Sequence, residues 1–477
     1  MDKGLTSAIA ANRFGLGARP GELATIGGAG PDGLRAQLEG PAPQITGDGL
    51  QSSASILAQV YDLRRTIRAA RMRRVRGDDE GGASAAAIGA FRKLPQLIRP
   101  IYLAEAGARL RQSVSTDRPF VERLVHFWSN HFAVSIDKGV LAALAGSYER
   151  EAIRPYVLGN FNDMLLATER HPAMVLYLDN QMSMGPDSRA ARNIARRRPG
   201  TRPGINENLA RETMELHTVG VDGGYTQADV TAFSRVLTGW SIAGPERWRA
   251  SAQPGTFLFR AAMHQPGSQV VMGKRYPDGG YDQGVAVLRD LAARPATARF
   301  IATKLARHFI ADDPPAPAVD RLAAAFSASG GDLPTVYRAL IDSPEAWEQP
   351  VAKYKSPSDF IVSSFRGLEL PLRTDTGKPL APIGLFQLLG QRIWCPGSPA
   401  GWPDRSADWD GASELLKRIE WADAVAQRVG PRRDARELAP QMLGGALTAA
   451  TRTAIAHAET AAQAVALLLA SPDFMRR

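Results

Sequence analysis

Apolar residues recur at the spacing of a helix along most of this chain, and strand-like runs are confined to one stretch near its middle. Ile301, Leu305 and Phe309 stand at i, i+4 and i+8, a spacing typical of one apolar helix face. Only residues 256–260 and 269–272, both bounded by Pro and Gly, have the character of short strands. We therefore predict a mainly α fold, a multi-helix globular body with one small insertion that contains a β-hairpin.

Length and composition agree with an ordinary globular protein. The chain has 477 residues, of which 44% are hydrophobic and 22% charged, so a sizeable core can form. We expect an N-terminal helical region over residues 1–135, a central region with the β insertion over 136–280, and a C-terminal helical region over 281–477. These three regions are expected to pack as one continuous body. The single cysteine, Cys395, rules out an intramolecular disulfide.

The sequence shows no targeting or membrane-spanning segment. Its first residues lack the basic start and unbroken apolar stretch of an export signal. No apolar run approaches the ~20 residues that a helix needs to span a bilayer. We therefore expect a soluble protein without a membrane span, located in the cytoplasm.

Positive charge is concentrated in two arginine clusters, and the net charge is +10. The clusters consist of Arg64, Arg65, Arg68, Arg71, Arg73, Arg74 and Arg76, and of Arg189, Arg192, Arg196, Arg197, Arg198 and Arg202. A basic chain can meet nucleic acid, anionic lipid or acidic polymers, but neither cluster is interleaved with base-stacking aromatic residues. The sequence thus favours two solvated segments, the second in a long polar loop over residues 181–204, and does not favour nucleic acid as a partner.

The richest polar stretch is residues 206–217, which the spacing predicts to be helical. The common motifs of serine hydrolases, P-loop enzymes, zinc proteases and EF-hands are absent from the sequence. Glu212 and Glu215 fall on one side of the predicted helix, whereas His217 points roughly 140° away from Glu212. Glu212 and His217 can share a ligand only if the helix unwinds near Gly220. The carboxylates either hold a divalent cation or move protons, or they form a solvated helix face.

For two histidines the sequence allows either a metal-ligand role or a structural role. His131 follows an aromatic pair and is expected to be half-buried, and His264 precedes a Pro-Gly turn on a loop. Imidazole is the commonest metal ligand, but a hydrogen-bonded core or turn histidine is the simpler interpretation of each. Asn130, beside His131, is a candidate for a hydrogen bond to a substrate.

Two further polar features are assigned structural roles. His308 lies on the apolar face of its predicted helix, so we place it in the core. The stretch 402–411 is rich in Trp and Asp, a composition that can bind sugars or cations. Such a stretch more often pins a long loop to a helical body, and we favour that role here.

These polar stretches also carry a family resemblance. From Asn12 to its C-terminus the sequence resembles the bacterial "domain of unknown function 1800" family. The strings that carry the resemblance are residues 127–132, 170–174, 177–180, 206–218, 223–226, 237–240, 296–309, 401–404 and 471–474.

The resemblance implies a mostly helical fold and an uncharacterised role. It also implies a common genetic neighbour, a sulfatase-like protein of the "domain of unknown function 1501" family, which is often exported. An exported or periplasmic location is therefore implied by association. Two residues depart from the family's pattern, since Ser129 replaces a frequent His and Gln265 a frequent Asp. If those positions help to bind a metal, the site of this chain is altered.

The resulting hypothesis is a metal-dependent, hydrolase-like enzyme or a maturation partner of one. The predicted ligands of a divalent metal are His131, Glu212, His217 and His264. Glu215 is predicted to orient a ligand or move a proton, and Asn130 to bind a substrate. Spacing alone does not identify the metal. The alternative is a non-catalytic helical scaffold that binds the sulfatase-like neighbour.

Overall fold

Helices dominate the computed structural model, which describes residues 3–27, 30–76, 82–200, 204–244, 253–348, 353–372 and 382–477. The N-terminal region contains α1 (Lys3–Ile9), α2 (Glu22–Gly27), α3 (Gly30–Gln37), α4 (Ser53–Arg76), α5 (Gly82–Ser115) and α6 (Pro119–His131), and α7 (Leu141–Tyr148) follows at the start of the central region. The prediction of a mainly α fold is confirmed.

The central region combines short helices with the strands. Its elements are α8 (Phe161–Glu169), α9 (Pro172–Tyr177), α10 (Arg189–Arg197), α11 (Asn208–Glu212), α12 (Gln227–Val236), β1 (Trp240–Ile242), β2 (Phe257–Phe259), β3 (Gln269–Val271) and β4 (Lys274–Tyr276). β1 pairs with β2 and β3 with β4, both antiparallel. β3 and β4 form a hairpin through Met272 and Gly273, whose positive φ values of 47° and 79° match the strand twist. The predicted β insertion is confirmed.

The C-terminal region is again helical. It contains α13 (Tyr281–Ala292), α14 (Pro295–Phe309), α15 (Ala316–Ala328), α16 (Leu333–Ile341), α17 (Glu345–Glu348), α18 (Pro357–Gly367), α19 (Pro382–Leu388), α20 (Ala412–Val429), α21 (Ala435–Leu443), α22 (Ala449–Ala456), α23 (Ala461–Ala470) and α24 (Pro472–Met475). Within the described ranges, no helix is long and apolar enough to cross a membrane.

Several helices begin where local sequence signals predict. Thr226 accepts a hydrogen bond from the Asp229 backbone, and Asp229 accepts one from the Thr226 backbone, so α12 begins with a capping box. Ser356 caps α18, and Pro357 occupies its first position, where a missing N–H costs nothing. The start of α18 lies at the pocket described below, to which it contributes Ser356, Ser358 and Asp359.

The core brings together aromatic side chains from both ends of the chain. The ring of Phe14 lies 5.6 Å from that of Phe120, 5.8 Å from that of Phe309 and 5.0 Å from that of Trp347, measured between centroids. Aromatic pairs at this spacing add to the stabilisation from burial. The N-terminal and C-terminal regions therefore share one core, while the boundaries at residues 135 and 280 stay a prediction.

The predicted loop over residues 181–204 is wrong in its middle, because residues 189–197 form α10. Ser188 accepts a hydrogen bond from the Ala191 backbone and so caps this helix. Ala191 is buried, whereas the arginines of α10 are exposed. The flanking Pro and Gly residues hid this amphipathic pattern. Arg202 of the second cluster lies outside the described residues.

Candidate functional site

A polar pocket of about 330 Å³ lies between α6, α14 and the loop of residues 391–408. Its volume is in the range of small-molecule sites. The side chains that line it include Arg123, His126, Phe127, Ser129, Asn130, His131, Lys304, His308, Trp394, Trp402 and Asp404. Since α6 contributes residues 123, 126, 127 and 130, one face of that helix forms a wall.

His308 and Asp404 form a hydrogen-bonded pair in this wall. The Nδ1 atom of His308 lies 2.9 Å from Oδ2 of Asp404. Its other ring nitrogen, Nε2, is buried and has no hydrogen-bond partner among the residues that the structure describes. A carboxylate beside Nδ1 favours the tautomer with the proton on Nδ1, which leaves the lone pair on Nε2. The pair thus has the arrangement of a general base with its orienting carboxylate.

Burial keeps this histidine neutral at pH 7. It lowers the pKa of His308 to about 4, although Asp404 acts in the opposite direction. The positive charges of Arg477 and Arg123 add to the lowering. Asp404 stays ionised, because His308, Lys353 and Arg477 together hold its pKa well below the usual range, against the effect of burial.

Lys304 lies one helical turn before His308 on α14 and also lines the pocket. Burial lowers the pKa of its ammonium group to about 8, and Asp404 partly offsets this. Nζ lies 5.6 Å from the centroid of the Phe300 ring. Within the described part of the chain, no carboxylate forms an ion pair with it. An anionic group of a bound molecule would therefore meet an unpaired positive charge beside His308.

Asp404 is held in place by a buried ion-pair network. Lys353 Nζ lies 3.5 Å and Arg477 Nη2 3.7 Å from Oδ1 of Asp404. Arg477 also donates to the His308 backbone oxygen at 2.8 Å, and its Nε lies 2.9 Å from Asp359. Arg123 reaches the other oxygen of Asp359 at 2.9 Å. The orientation of the histidine–carboxylate pair is thus fixed from several elements.

Asn130 fixes the loop that closes the pocket. Its Nδ2 donates to the Trp402 backbone oxygen at 2.9 Å, and its Oδ1 accepts from the Trp402 backbone N–H at 2.7 Å. A side chain at Gly401 would come 2.3 Å from the Asn130 backbone oxygen, so only glycine fits there. The amide that we predicted to bind a substrate is therefore used to hold this loop.

Trp394 on the same loop adopts a backbone conformation that is costly for a large residue. Its φ is 51°, and its side chain donates to Glu149 Oε2 at 3.1 Å. Its backbone oxygen accepts from Ile136 at 2.9 Å. Strained residues of this kind cluster at functional sites, where the surrounding contacts must hold them.

A π-helical turn changes the predicted orientation of His217. The turn spans Thr213–His217 and directly follows α11. His217 Nδ1 lies 2.6 Å from Glu169 Oε1, and both side chains are buried. His131 Nε2 lies 3.1 Å from the backbone oxygen of His217. The structure therefore brings His131 and His217 together, with Glu169 as a neighbour that the sequence did not indicate.

The other predicted site residues lie in different settings. Burial raises the pKa of Glu212, and the charges that act on it include His217, Glu215 and Glu169. His264 packs at the end of α12, where its Nδ1 lies 3.0 Å from the Thr238 backbone oxygen. Among the described residues, no group of three or more His, Cys, Asp or Glu side chains is placed to hold a metal ion.

A family model for "Protein of unknown function (DUF1800)" matches residues 9–476 of the chain. This chain belongs to the DUF1800 family. No curated protein and no solved structure shows a significant match to it. The match covers the whole pocket of this family member, including α6, α14 and the loop of residues 391–408.

Sequence reasoning missed the central pair of the pocket. It assigned His308 to the core and placed Asp404 in a structural loop, because each residue was judged alone. The two residues lie 96 positions apart, and only the fold brings them to 2.9 Å. The available signal was their position at the ends of two strings, 296–309 and 401–404, that carry the resemblance to the DUF1800 family.

Proposed function

We propose that this protein is an enzyme that hydrolyses a small anionic substrate in the pocket between α6 and α14. The observation that carries the proposal is the buried Nε2 atom of His308, which has no partner while Asp404 holds Nδ1. A neutral imidazole in this tautomer accepts a proton. Lys304 supplies an unpaired positive charge on the same helix face.

Hydrolysis is the simplest reaction that these groups support. Nε2 of His308 takes a proton from water, and the hydroxide adds to an acyl carbon of the substrate. Asp404 stabilises the imidazolium that forms. Lys304 stabilises the negative charge that develops on the substrate oxygen. The proton then passes from His308 to the leaving group, so that one water is consumed for each bond cleaved.

Replacing His308 by Asn should lower hydrolysis about 10²- to 10⁴-fold, because the general base is lost. The substrates are a panel of p-nitrophenyl esters and anilides with carboxylate or phosphate groups, followed by absorbance. Lys304→Met should raise KM for the anionic members most strongly. His457→Asn is the matched control, since His457 is exposed and lies outside the pocket. Equal activity of H308N and H457N, or no turnover of any member, would contradict the proposal.

The metal-dependent form of the hypothesis stays a separate prediction. It assigns the ligands to His131, Glu212, His217 and His264 and expects near-stoichiometric metal in the tag-free protein. Elemental analysis by plasma mass spectrometry should then show that Glu212→Ala and His217→Ala both lose the metal. The described donors do not form a ligand group of three, so no step of the reaction is assigned to a metal. Metal-free protein with both variants folded would contradict this form alone.

One observation favours the alternative of a non-catalytic scaffold. Leu415, Leu416 and Ile419 are 36%, 56% and 42% exposed and lie on one side of α20. Exposed apolar patches often mark protein interfaces. If this patch binds the sulfatase-like protein that the resemblance implies, Leu416→Asp should abolish co-purification of the two proteins. If the Leu416→Asp variant still co-purifies with that protein, the patch is not part of the interface.

A further inference from the structure

The helices α4 and α10, which carry arginines of the two clusters, both contact one stretch of chain, residues 255–263, which we call the bridging segment. At its start, a Cβ on Gly255 would come 2.8 Å from both the Ala54 backbone oxygen and the Leu57 Cβ, so the segment touches α4 closely. At its end, the Ala262 backbone oxygen accepts a hydrogen bond from Ala190 of α10 at 2.8 Å. The segment therefore connects both helices.

The bridging segment follows α4 toward its arginines. Arg64 and Arg260 both act electrostatically on the Tyr61 hydroxyl and oppose the rise that burial causes in its pKa. Arg260 in turn donates to the Ile242 backbone oxygen at 2.7 Å. Ala262 is two positions after Arg260, and two extended residues span at most about 7 Å. The part of α4 that carries Tyr61 and Arg64 thus lies near the start of α10.

On α10 the arginines form an exposed face. Arg189, Arg192 and Arg196 stand at i, i+3 and i+7, so they share one side of the helix, and Arg197 flanks them. Within the described ranges, none of these four forms an ion pair with a carboxylate. The apolar side of α10 includes the buried Ala191 and faces the protein.

On α4, Arg64 and Arg68 are exposed and belong to the same surface. We call the six residues Arg64, Arg68, Arg189, Arg192, Arg196 and Arg197 the arginine surface. These six arginines form no ion pair with a carboxylate in the described part of the chain, so their charges repel one another, and an anionic partner relieves this repulsion. The sequence could not show this surface, because its two halves are more than 100 positions apart.

The composition of the arginine surface indicates which polyanion fits. Its charges are guanidinium groups, each of which can donate two parallel hydrogen bonds to the oxygens of one phosphate. Because α10 turns its apolar side to the protein, it has no apolar face to insert into a bilayer. A protein partner is usually recognised by a pattern of charges of both signs. The exposed face of α10 carries no acidic residue and so lacks such a pattern. A uniformly charged phosphate backbone is the ligand that fits best.

We propose that the arginine surface binds duplex nucleic acid through its phosphates, without contacts that read the bases. This goes beyond the proposed hydrolase activity and does not depend on it, because none of the six arginines lines the pocket between α6 and α14. Binding of this kind is electrostatic, releases counterions and depends steeply on salt.

The test is fluorescence anisotropy with a fluorescein-labelled, random-sequence 24-base-pair DNA duplex and the full chain. About six phosphate contacts should make the affinity fall roughly 10³-fold between 50 and 200 mM KCl. The triple variant R192E/R196E/R197E should reduce the salt slope by about 3, and R64E/R68E by about 2. Both variants must weaken binding if the two clusters form one surface.

The matched control is R428E/R432E/R452E, which makes the same change in net charge as the α10 variant. Its three arginines are exposed and lie on or near α20 and α22. This control should bind the duplex with an affinity within a few-fold of wild type. Circular dichroism of each variant checks that the fold is retained.

Four outcomes would overturn the proposal. The first is that the protein does not bind the duplex at 50 mM KCl, and the second is that the control variant loses as much affinity as the α10 variant. The third is that R64E/R68E binds the duplex as wild type does. The fourth is that the protein co-sediments with phosphatidylserine vesicles and does not bind the duplex. The last outcome would assign the arginine surface to anionic lipid. The hydrolase assay is unaffected by any of them, so the two proposals fail separately.

Discussion

Replacing Arg154 by Met should lower the free energy of unfolding by about 3–5 kcal/mol, because it leaves the buried carboxylate of Glu122 without its arginine partner and that of Glu149 with one arginine fewer. Arg154 is fully buried and donates to both oxygens of Glu122 at 2.7 and 2.6 Å. It also donates to Glu149 at 3.1 Å. These charges raise the pKa of Arg154 and hold that of Glu122 well below its usual range.

Urea denaturation followed by circular dichroism measures this effect. Arg111→Met is the matched control, since Arg111 is exposed on α5 and its loss should change the midpoint little. The double variant Arg154→Met/Glu122→Leu should recover part of the stability, because it removes one of the stranded charges. Equal midpoints for R154M and R111M would show that the buried pair contributes nothing.

Glu149 connects the ion pairs of Arg154 to the pocket. Glu149 also accepts from Arg109 Nε at 2.8 Å and from the Trp394 side chain at 3.1 Å. That hydrogen bond from the Trp394 side chain helps to keep the Trp394 backbone in its strained conformation. A loss of Arg154 should therefore loosen the loop of residues 391–408 as well as the core. Hydrolysis by R154M should fall even in conditions where the variant remains folded.

Local signals in the sequence were enough to predict much of the fold. The cap residues Thr226 and Ser356 marked two helix starts, and the Pro- and Gly-bounded runs marked β2 and β3 but not their partners β1 and β4. These signals act over three or four residues, so they can be found without the fold. The loop predicted at 181–204 failed because Ser188, the cap of α10, stands between prolines and glycines that suggested a loop.

The site depended on pairs that no local pattern can show. His308 meets Asp404 across 96 positions, His217 meets Glu169 across 48, and Asn130 holds Trp402 across 272. Each pair is set by the packing of whole helices. The π-helical turn at Thr213–His217 adds one residue to its turn and so redirects the histidine, a change that a regular 3.6-residue period does not predict. The sequence thus found the polar segments but not their partners.

Acidification should destabilise this protein steeply, and His308 should account for about 3 kcal/mol of the loss. The pKa of His308 is about 4 in the folded protein, against 6.5 for an unperturbed histidine. Between these values the unfolded chain binds a proton that the folded chain does not. The stability that depends on neutral His308 is therefore complete above pH 6.5 and falls as the pH drops toward 4. Burial causes this lowering of the pKa, and the charges of Arg477 and Arg123 add to it, against the attraction of Asp404.

Urea midpoints measured between pH 7 and pH 4 test this linkage with His308→Gln. Glutamine can keep a hydrogen bond to Asp404 but does not titrate, so the variant should lose about 3 kcal/mol less than wild type over this range. His457→Gln, at an exposed position, should follow the wild-type curve. The remaining slope of H308Q should come from the buried His126 and His131, whose pKa values burial also lowers, and near pH 4 from carboxylates such as Glu122 whose pKa is held low in the folded protein. Parallel curves for wild type and H308Q would show that burial does not lower the pKa of His308 in the folded protein, and would contradict this prediction.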